Sequence, residues 1–306
     1  MSALSHKIDF AIIFSVKHAN PNGDPLNGNR PRTDYDGFGE VTDVCLKRKI
    51  RDRLQTAGSS IFVQSDEKKT DGMPSLKHRA EAEAPIGLGK NAFKPSAENT
   101  KDKIAKRACE QWLDVRSFGQ VFAFGKEADA AGVSIAIRGP VTIQSAFSVE
   151  PVSITSTQIT KSVNGEGDGT KKGSDTMGMK HRVDSAIYVA YGAMTPQLAD
   201  KTGFSDADAD SIKAILPKLF EGDESSARPA GSMAVKKVIW WQHNSKAGQY
   251  SSANVHDLLL KLIDSWKEDN NEDKNLLNQI DNLKPDSESS KKLEIGNLKP
   301  EIIDGF

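Results

Sequence analysis

Three stretches of the chain carry residues able to do chemistry. The first is Asn20–Asp34, NPNGDPLNGNRPRTD, in which Asn, Gly and Pro fill more than half the positions. Gly23 and Gly28 let backbone approach a ligand closely, and amides in such turns form anion-binding nests beside Arg30 and Arg32; a solvated connector is the competing reading. The second, Val41–Gln55, holds Lys47, Arg48, Lys49, Arg51 and Arg53 against only Asp43 and Asp52. Lys47, Arg48 and Arg51 fall on adjacent turns of one helical side, a spacing suited to a track of phosphates, although a charged helix face is more often simply solvated. The third is Gln158–Arg182. It reads as two arms around a Gly/Asp/Lys tip, with Lys161 on one arm, Lys180, His181 and Arg182 on the other, and Met177 and Met179 near the tip. A flexible apolar side chain on a basic arm can wedge between bases; alternatively the methionines pack on a neighbouring protein.

Other chemistries find less support. Asp24, Asp34 and Asp36 could converge on Mg²⁺ as a nuclease requires, yet their Asn/Gly/Pro company favours turn formation. The six histidines are scattered, and HExxH, GxxxxGK[ST] and GxSxG are all absent. SFGQVFAF at Ser117–Phe124 does not match the aromatic RNA-reading strand of an RNA-recognition motif. Cys45 and Cys109 have neither metal-ligand nor scaffold spacing. No cofactor and no metal are expected.

The elements that must position these residues are legible in the apolar pattern. Lys7–Lys17 alternates Ile8, Phe10, Ile12, Phe14 and Val16 with apolar Ala11 and Ile13, predicting a strand covered on both faces. A helix follows behind a Thr42/Asp43 cap, with Val44, Ile50 and Leu54 turned to the core and Gly58 closing it. From Ser59 to about Ala108 the chain is polar and weakly periodic, an expected insertion of part helix and part mobile loop. Ser134–Ile154 is strongly β, and Ser185–Ala193 and Ser232–Gln242 are further strands. Ser205–Phe220 is a helix, Val255–Lys267 and Leu276–Leu283 look helical, and the polar tail from Asp281 is expected to be mobile. Reduced to its core, the order is βαββαβ, an α+β fold of ferredoxin-like type used by RNA-recognition modules.

Composition bounds the partners. With 41 basic and 42 acidic residues in 306, the net charge of −1 gives no global pull toward nucleic acid. That average hides a gradient: residues 257–306 carry a net −5 and the remainder +4. No apolar run approaches the ~20 residues of a membrane span, and no signal pattern opens the chain, so no membrane partner and a cytosolic location are expected.

With NPNGDPLNGNRPRTD, VTDVCLKRKIRD, DVRSFG, GPVTIQSAFSVEPV and MGMKHRVDSAIYVAYGAM in this order, the sequence resembles the backbone subunit of type I-C CRISPR Cascade, of the RAMP superfamily of crRNA-binding proteins. The resemblance spans nearly all of residues 7–245. It implies an RRM-like palm in three parts (1–58, 114–152 and 185–250), a finger insertion (59–113), a thumb β-hairpin (153–184) and a helical, acidic C-terminal segment (251–306). It further implies a non-catalytic protein whose copies form a filament along crRNA in the prokaryotic cytoplasm. The guide's bases would pair with target DNA, and other Cascade subunits (Cas5-, Cas8- and Cas11-type) would complete the ribonucleoprotein in antiviral defence. By motif, Asn22, Arg30, Arg32, Thr42, Lys47, Arg48 and Arg51 match positions that hold the crRNA backbone. Met177, Lys180 and His181 match the thumb, to which Lys161 and Arg182 are added from the reading of the arms. Related subunits of type III complexes cleave RNA with an Asp in the corresponding loop, so a metal-dependent endonuclease using Asp24 or Asp34 is the alternative.

Overall fold

The computed structural model describes residues 2–124, 133–162, 177–268 and 275–306. At its centre is β1 (Ile8–Ala19), whose Phe10, Ile12 and Phe14 point into one apolar core and whose Ala11 and Ile13 point into another. Continuous apolar sequence is what a strand buried on both faces needs. Three short strands follow it, β2 (Gly23–Asp24), β3 (Arg30–Thr33) and β4 (Phe38–Val41), leading into helix α1 (Asp43–Thr56). The stretch 20–34, expected to be a loop without structure, is therefore a small hairpin, with Gly23 opposite Pro31 and Asp24 opposite Arg30.

Residues 59–118 carry α2 (Leu76–Glu81), α3 (Lys101–Gln111) and α4 (Leu113–Phe118). Then come β5 (Gly119–Phe124) and β6 (Val133–Arg138), which pair only with each other. These elements share a core of their own, in which Phe62, Trp112, Phe93 and Phe122 pack with ring centroids 4.7–6.2 Å apart. The insertion expected over 59–113 thus reaches Arg138, and the part of 114–152 that joins the main sheet is β7 (Val141–Ile143) and β8 (Ala146–Pro151). The aromatic side chains stand tens of residues apart, so no helical or strand period announces this core.

The thumb arms are β9 (Ile154–Thr160) and the first part of β10 (Met177–Met194), in register from Ile154 opposite Val183 to Thr160 opposite Met177. The expected Gly/Asp/Lys tip at 163–176 lies outside the described residues. β10 continues without a break into the sheet as the partner of β1. Helices α5 (Pro196–Thr202) and α6 (Asp206–Ile215) follow, and then β11 (Met233–Gln242). A capping box sets the start of α6: the Ser205 hydroxyl accepts from the Asp208 amide, and the Asp208 carboxylate accepts from the Ser205 amide.

The main sheet runs β12-β11-β1-β10-β8-β4-β3-β2 with every described pairing antiparallel. Helices α1 and α6 cover one face, placing Leu46, Ile50, Leu54, Ala209 and Ile212 on Phe10, Phe14 and Trp240. The other face is covered by α7 (Ser252–Glu268) and α8 (Leu276–Asp281), and by the segment holding α9 (Glu288–Lys291) and β12 (Pro300–Asp304). The tail expected to be mobile from Asp281 onward is instead built in: Leu283, Leu293, Leu298 and Ile302 are buried, and β12 pairs with β11 from Lys237 opposite Asp304 to Trp241 opposite Pro300.

Candidate functional site

The end of β1 gathers the loop, the first turn of α1 and the root of the thumb. Lys17 lies opposite Ser185 and Ala19 opposite Val183, so β1 finishes where β10 leaves the sheet to form the thumb arm. The hairpin 20–34 folds back onto this end. The Asn20 side chain donates to the Asn29 carbonyl at 2.7 Å, the Arg32 amide donates to the Asn22 carbonyl at 3.1 Å, and β3 lies against β10. Asn22 then ties hairpin to helix, its Oδ1 accepting from both the amide and the hydroxyl of Thr42 at 3.0 Å. Thr42 in turn caps α1 by accepting from the Cys45 amide. Asn22 and Thr42 are thus half-buried scaffolding that fixes where the arginines stand.

Arg30 is exposed and has no ion-pair partner among the described residues, whereas Arg32 pairs with Asp24 at 3.3 Å. Asp24 also caps the single 3₁₀ turn Pro25–Asn27 by accepting from the Leu26 amide, and that turn closes at Gly28 with φ +57°. Asp34 accepts from the amides of Asp36 and Phe38 at 3.0 and 2.8 Å. Both carboxylates are engaged as turn acceptors, and no cluster of three metal-ligating side chains occurs among the described residues. Sequence reasoning passed over Lys17 and His18. Both are exposed at the end of β1, and His18 has φ +52°, an uncommon conformation for a residue with a Cβ. A Lys–His pair immediately before the Asn/Gly/Pro run is the signal that marked them.

The cations of α1 are placed differently. Lys47 pairs with Asp43 at 2.8 Å, and Arg48 reaches Asp52 at 2.6 Å and Asp223 at 3.3 Å. Arg51 bonds Asp114 at 3.0 Å while lying over the Phe118 ring. Lys49 is buried against Asp223, which also accepts from Arg228 at 2.9 Å. Burial would raise the Asp223 pKa, but Lys49, Arg228 and Arg48 outweigh it and hold the carboxyl below its ordinary value. Burial also lowers the Lys49 pKa, against the pull of its anionic neighbours. Val44, expected in the core, is 69% exposed; Leu46, Ile50 and Leu54 form the buried face, and Lys49 shares it because Asp223 neutralises it there.

On the thumb, alternation along β10 divides the expected group between two faces. Met177, Met179 and His181 lie on one, and Lys180 and Arg182 on the other with Ile159 of β9. Met177 and Met179 are 65% and 54% exposed, and Lys180 is exposed with no ion pair among the described residues. His181 is buried at the root, its Nδ1 2.8 Å from the Ser156 hydroxyl, and Arg182 lies 3.6 Å from Asp184. Lys161 directly follows β9 and is exposed. The arrangement can hold a polyanion against Lys17, Arg30 and Lys180, while the two methionines form an exposed apolar strip on the other face of the arm.

Comparison with known proteins bears on this site. A family model described as CRISPR-associated protein Cas7 matches residues 6–284. A CRISPR-associated protein Cas7 of Haloferax volcanii is 25% identical over 268 residues, covering 83% of this chain and 75% of that protein. Among solved structures, a chain of a CRISPR RNA-guided surveillance complex in a pre-nicking state covers 89% of this chain and 95% of its own, at 15% identity and a TM-score of 0.47. A second surveillance-complex chain covers 88% and 91%, at 13% identity and a TM-score of 0.43. No helix among the described residues is long and apolar enough to cross a membrane. With the family match running from the start of β1 through α8, the chain belongs to the Cas7 family of CRISPR-associated proteins.

Proposed function

We propose that this chain is a non-catalytic, crRNA-binding backbone subunit of a type I-C surveillance complex, whose copies line up along one guide RNA and leave its bases free to pair with target DNA. The observation that carries the reading is the set of cations at the junction of loop, helix and thumb, Lys17, Arg30 and Lys180, which have no ion pair among the described residues, with Met177 and Met179 exposed on the opposite face of the thumb arm. Such a set contacts sugar-phosphate and reads no sequence, so specificity is left to the guide. The strand order β11-β1-β10-β8, with α1 and α6 together on one face, supports a ferredoxin-like palm. Its other face lies under α7 and α8, so bases are not stacked on the sheet and the RNA runs along its end. The engagement of Asp24 and Asp34 as turn acceptors favours a scaffold over the metal-dependent endonuclease.

The test is purification from prokaryotic cells expressing a repeat–spacer array, with sequencing of the bound RNA. Guide RNA protected at regular intervals is expected. If each protomer neutralises roughly four to six phosphates, the log–log salt slope per protomer is about −3 to −4. Filaments free of nucleic acid would overturn the reading in favour of a protein-only assembly. Mg²⁺-dependent RNA cleavage abolished by Asp24→Ala would overturn it in favour of the nuclease.

A further inference from the structure

The hairpin 20–34 carries two Asn–Gly pairs, Asn22–Gly23 and Asn27–Gly28, and the fold treats them in opposite ways. An asparagine followed by glycine is open to attack on its own side chain, because a residue without a Cβ leaves the next backbone nitrogen unhindered and free to rotate. Asn22 is held away from that reaction. Its Oδ1 accepts from the amide and the hydroxyl of Thr42 at 3.0 Å, and Gly23 is paired in β2 with the Asn29 side chain packed so closely on it that no Cβ would fit. Asn27 has neither restraint. It is exposed at the end of the 3₁₀ turn Pro25–Asn27, and its side chain makes no hydrogen bond among the described residues. Gly28 after it has φ +57°, and the space where its Cβ would stand is empty to 4 Å. The pairing of Asp24 with Arg30 closes the hairpin behind this tip, which keeps Asn27 beside Arg30, a cation with no ion pair among the described residues. The third such pair, Asn164–Gly165, lies outside the described residues.

We propose that Asn27 is a modification site, at which this chain deamidates spontaneously and ahead of Asn22, placing a negative charge beside Arg30. The Gly28 backbone nitrogen gives up its proton to solvent and bonds to Cγ of Asn27; the Cγ–Nδ2 bond breaks, and Nδ2 takes a proton from solvent and leaves as ammonia. Water then opens the cyclic imide at either carbonyl. Opening at Cγ gives aspartate, and opening at the main-chain carbonyl gives isoaspartate, with the chain running through the side chain. Water is the one co-reactant, and nothing is oxidised or reduced. The new carboxylate is a counter-ion for Arg30 and competes there with phosphate. That consequence rests on the proposed function; the modification itself rests on the contrast between the two asparagines.

The experiment uses the full chain, Asn27→Gln and Asn27→Asp. The full chain and Asn27→Gln are aged at mildly alkaline pH, and peptide fragmentation in a mass spectrometer locates acid and isoacid along 18–32. Position 27 of the unmodified chain is expected to convert to a mixture of aspartate and isoaspartate while Asn22 remains an amide, and the glutamine of the variant is expected to persist. Equal conversion at 22 and 27, or an amide at 27 that survives, overturns the modification site. Guide RNA binding is then measured across salt for the three fresh proteins. Asn27→Asp is expected to hold guide roughly fivefold more weakly near 0.1 M salt, with a log–log slope smaller by about 0.7, the effect of cancelling one single-strand phosphate contact. Asn27→Gln is expected to match the unmodified chain. Equal weakening in both variants overturns the charge effect, as does unchanged binding in Asn27→Asp. Failure of the unmodified chain to bind guide counts against the proposed function, and the mass measurements still decide the modification.

Discussion

Helix α1 and the insertion's α3 both look basic in sequence, but their charges are handled in opposite ways. On α1, Lys47, Arg48, Lys49 and Arg51 each meet a carboxylate, and two of those carboxylates, on Asp114 and Asp223, come from distant parts of the chain. On α3 and the loop before it, six cations form no ion pair among the described residues, although Glu98, Asp102 and Glu110 are exposed among them. A count of Lys and Arg therefore overstates α1 as a ligand surface. Cations drawn inward to lock helix to sheet are structural first, and those left unpaired are free to neutralise something else.

The sharpest way to break this contrast is Asp223→Ala, which leaves Lys49, Arg48 and Arg228 facing one another. A loss of about 3–5 kcal/mol in denaturant unfolding is expected, the usual cost of stranding buried charge. An unchanged midpoint would mean that α1 is not locked electrostatically. Next in size, Leu46→Ala is expected to cost about 2–5 kcal/mol and Val44→Ala less than about 0.5, because only Leu46 faces the core. Equal effects would rotate the helix back to the face read from sequence.

Acid unfolding sharpens the same point. In Asp223, Asp9 and Asp208 burial works to raise the pKa. It is outweighed by Lys49 and two arginines at Asp223, by hydrogen bonds from His243 and others at Asp9, and by Arg116 at Asp208; Asp71 is lowered chiefly by its bond to Arg79. All four carboxyls are thus held below the ordinary value. Their contribution is complete above the unfolded-chain value of about 3.9 and is lost as pH falls through the depressed folded values. Unfolding free energy is thus expected to be insensitive to these groups above about pH 5 and to decline steeply below about pH 4. Replacing Arg79 by Met should make the acid limb shallower. The smallest stability effects belong to the free cations: Arg30→Ala and Lys180→Ala should each change stability by less than about 0.5 kcal/mol while lowering the RNA salt slope by about 0.7. A stability loss without a slope change would make them structural residues like those of α1.

How much of this was legible follows from how local each cause is. β1 could be read because both its faces are apolar, and α6 because Ser205 and Asp208 cap it within one turn. The junction of Arg30, Lys180 and the methionines could be read as residue types in motifs. Which cations remain free could not, because the answer lies in Asp114 and Asp223, roughly 63 and 175 positions from their partners in α1. The C-terminal segment escaped for a related reason. Leu283, Leu293, Leu298 and Ile302 are too sparse to form a period, and each is buried by meeting the sheet. The thumb's division into a methionine face and a lysine face follows from two-residue alternation, but which β9 residues join each face needed the register.

The central position of β1 has a consequence in time. It is translated well before its ladder partners, residues 183–194 and 233–242. At ~5–20 residues per second, an apolar strand with two unsatisfied edges waits on the order of ten seconds or longer before anything can close over it. During that interval the nascent chain is at its most aggregation-prone, and a truncation ending before Met194 is stranded there permanently.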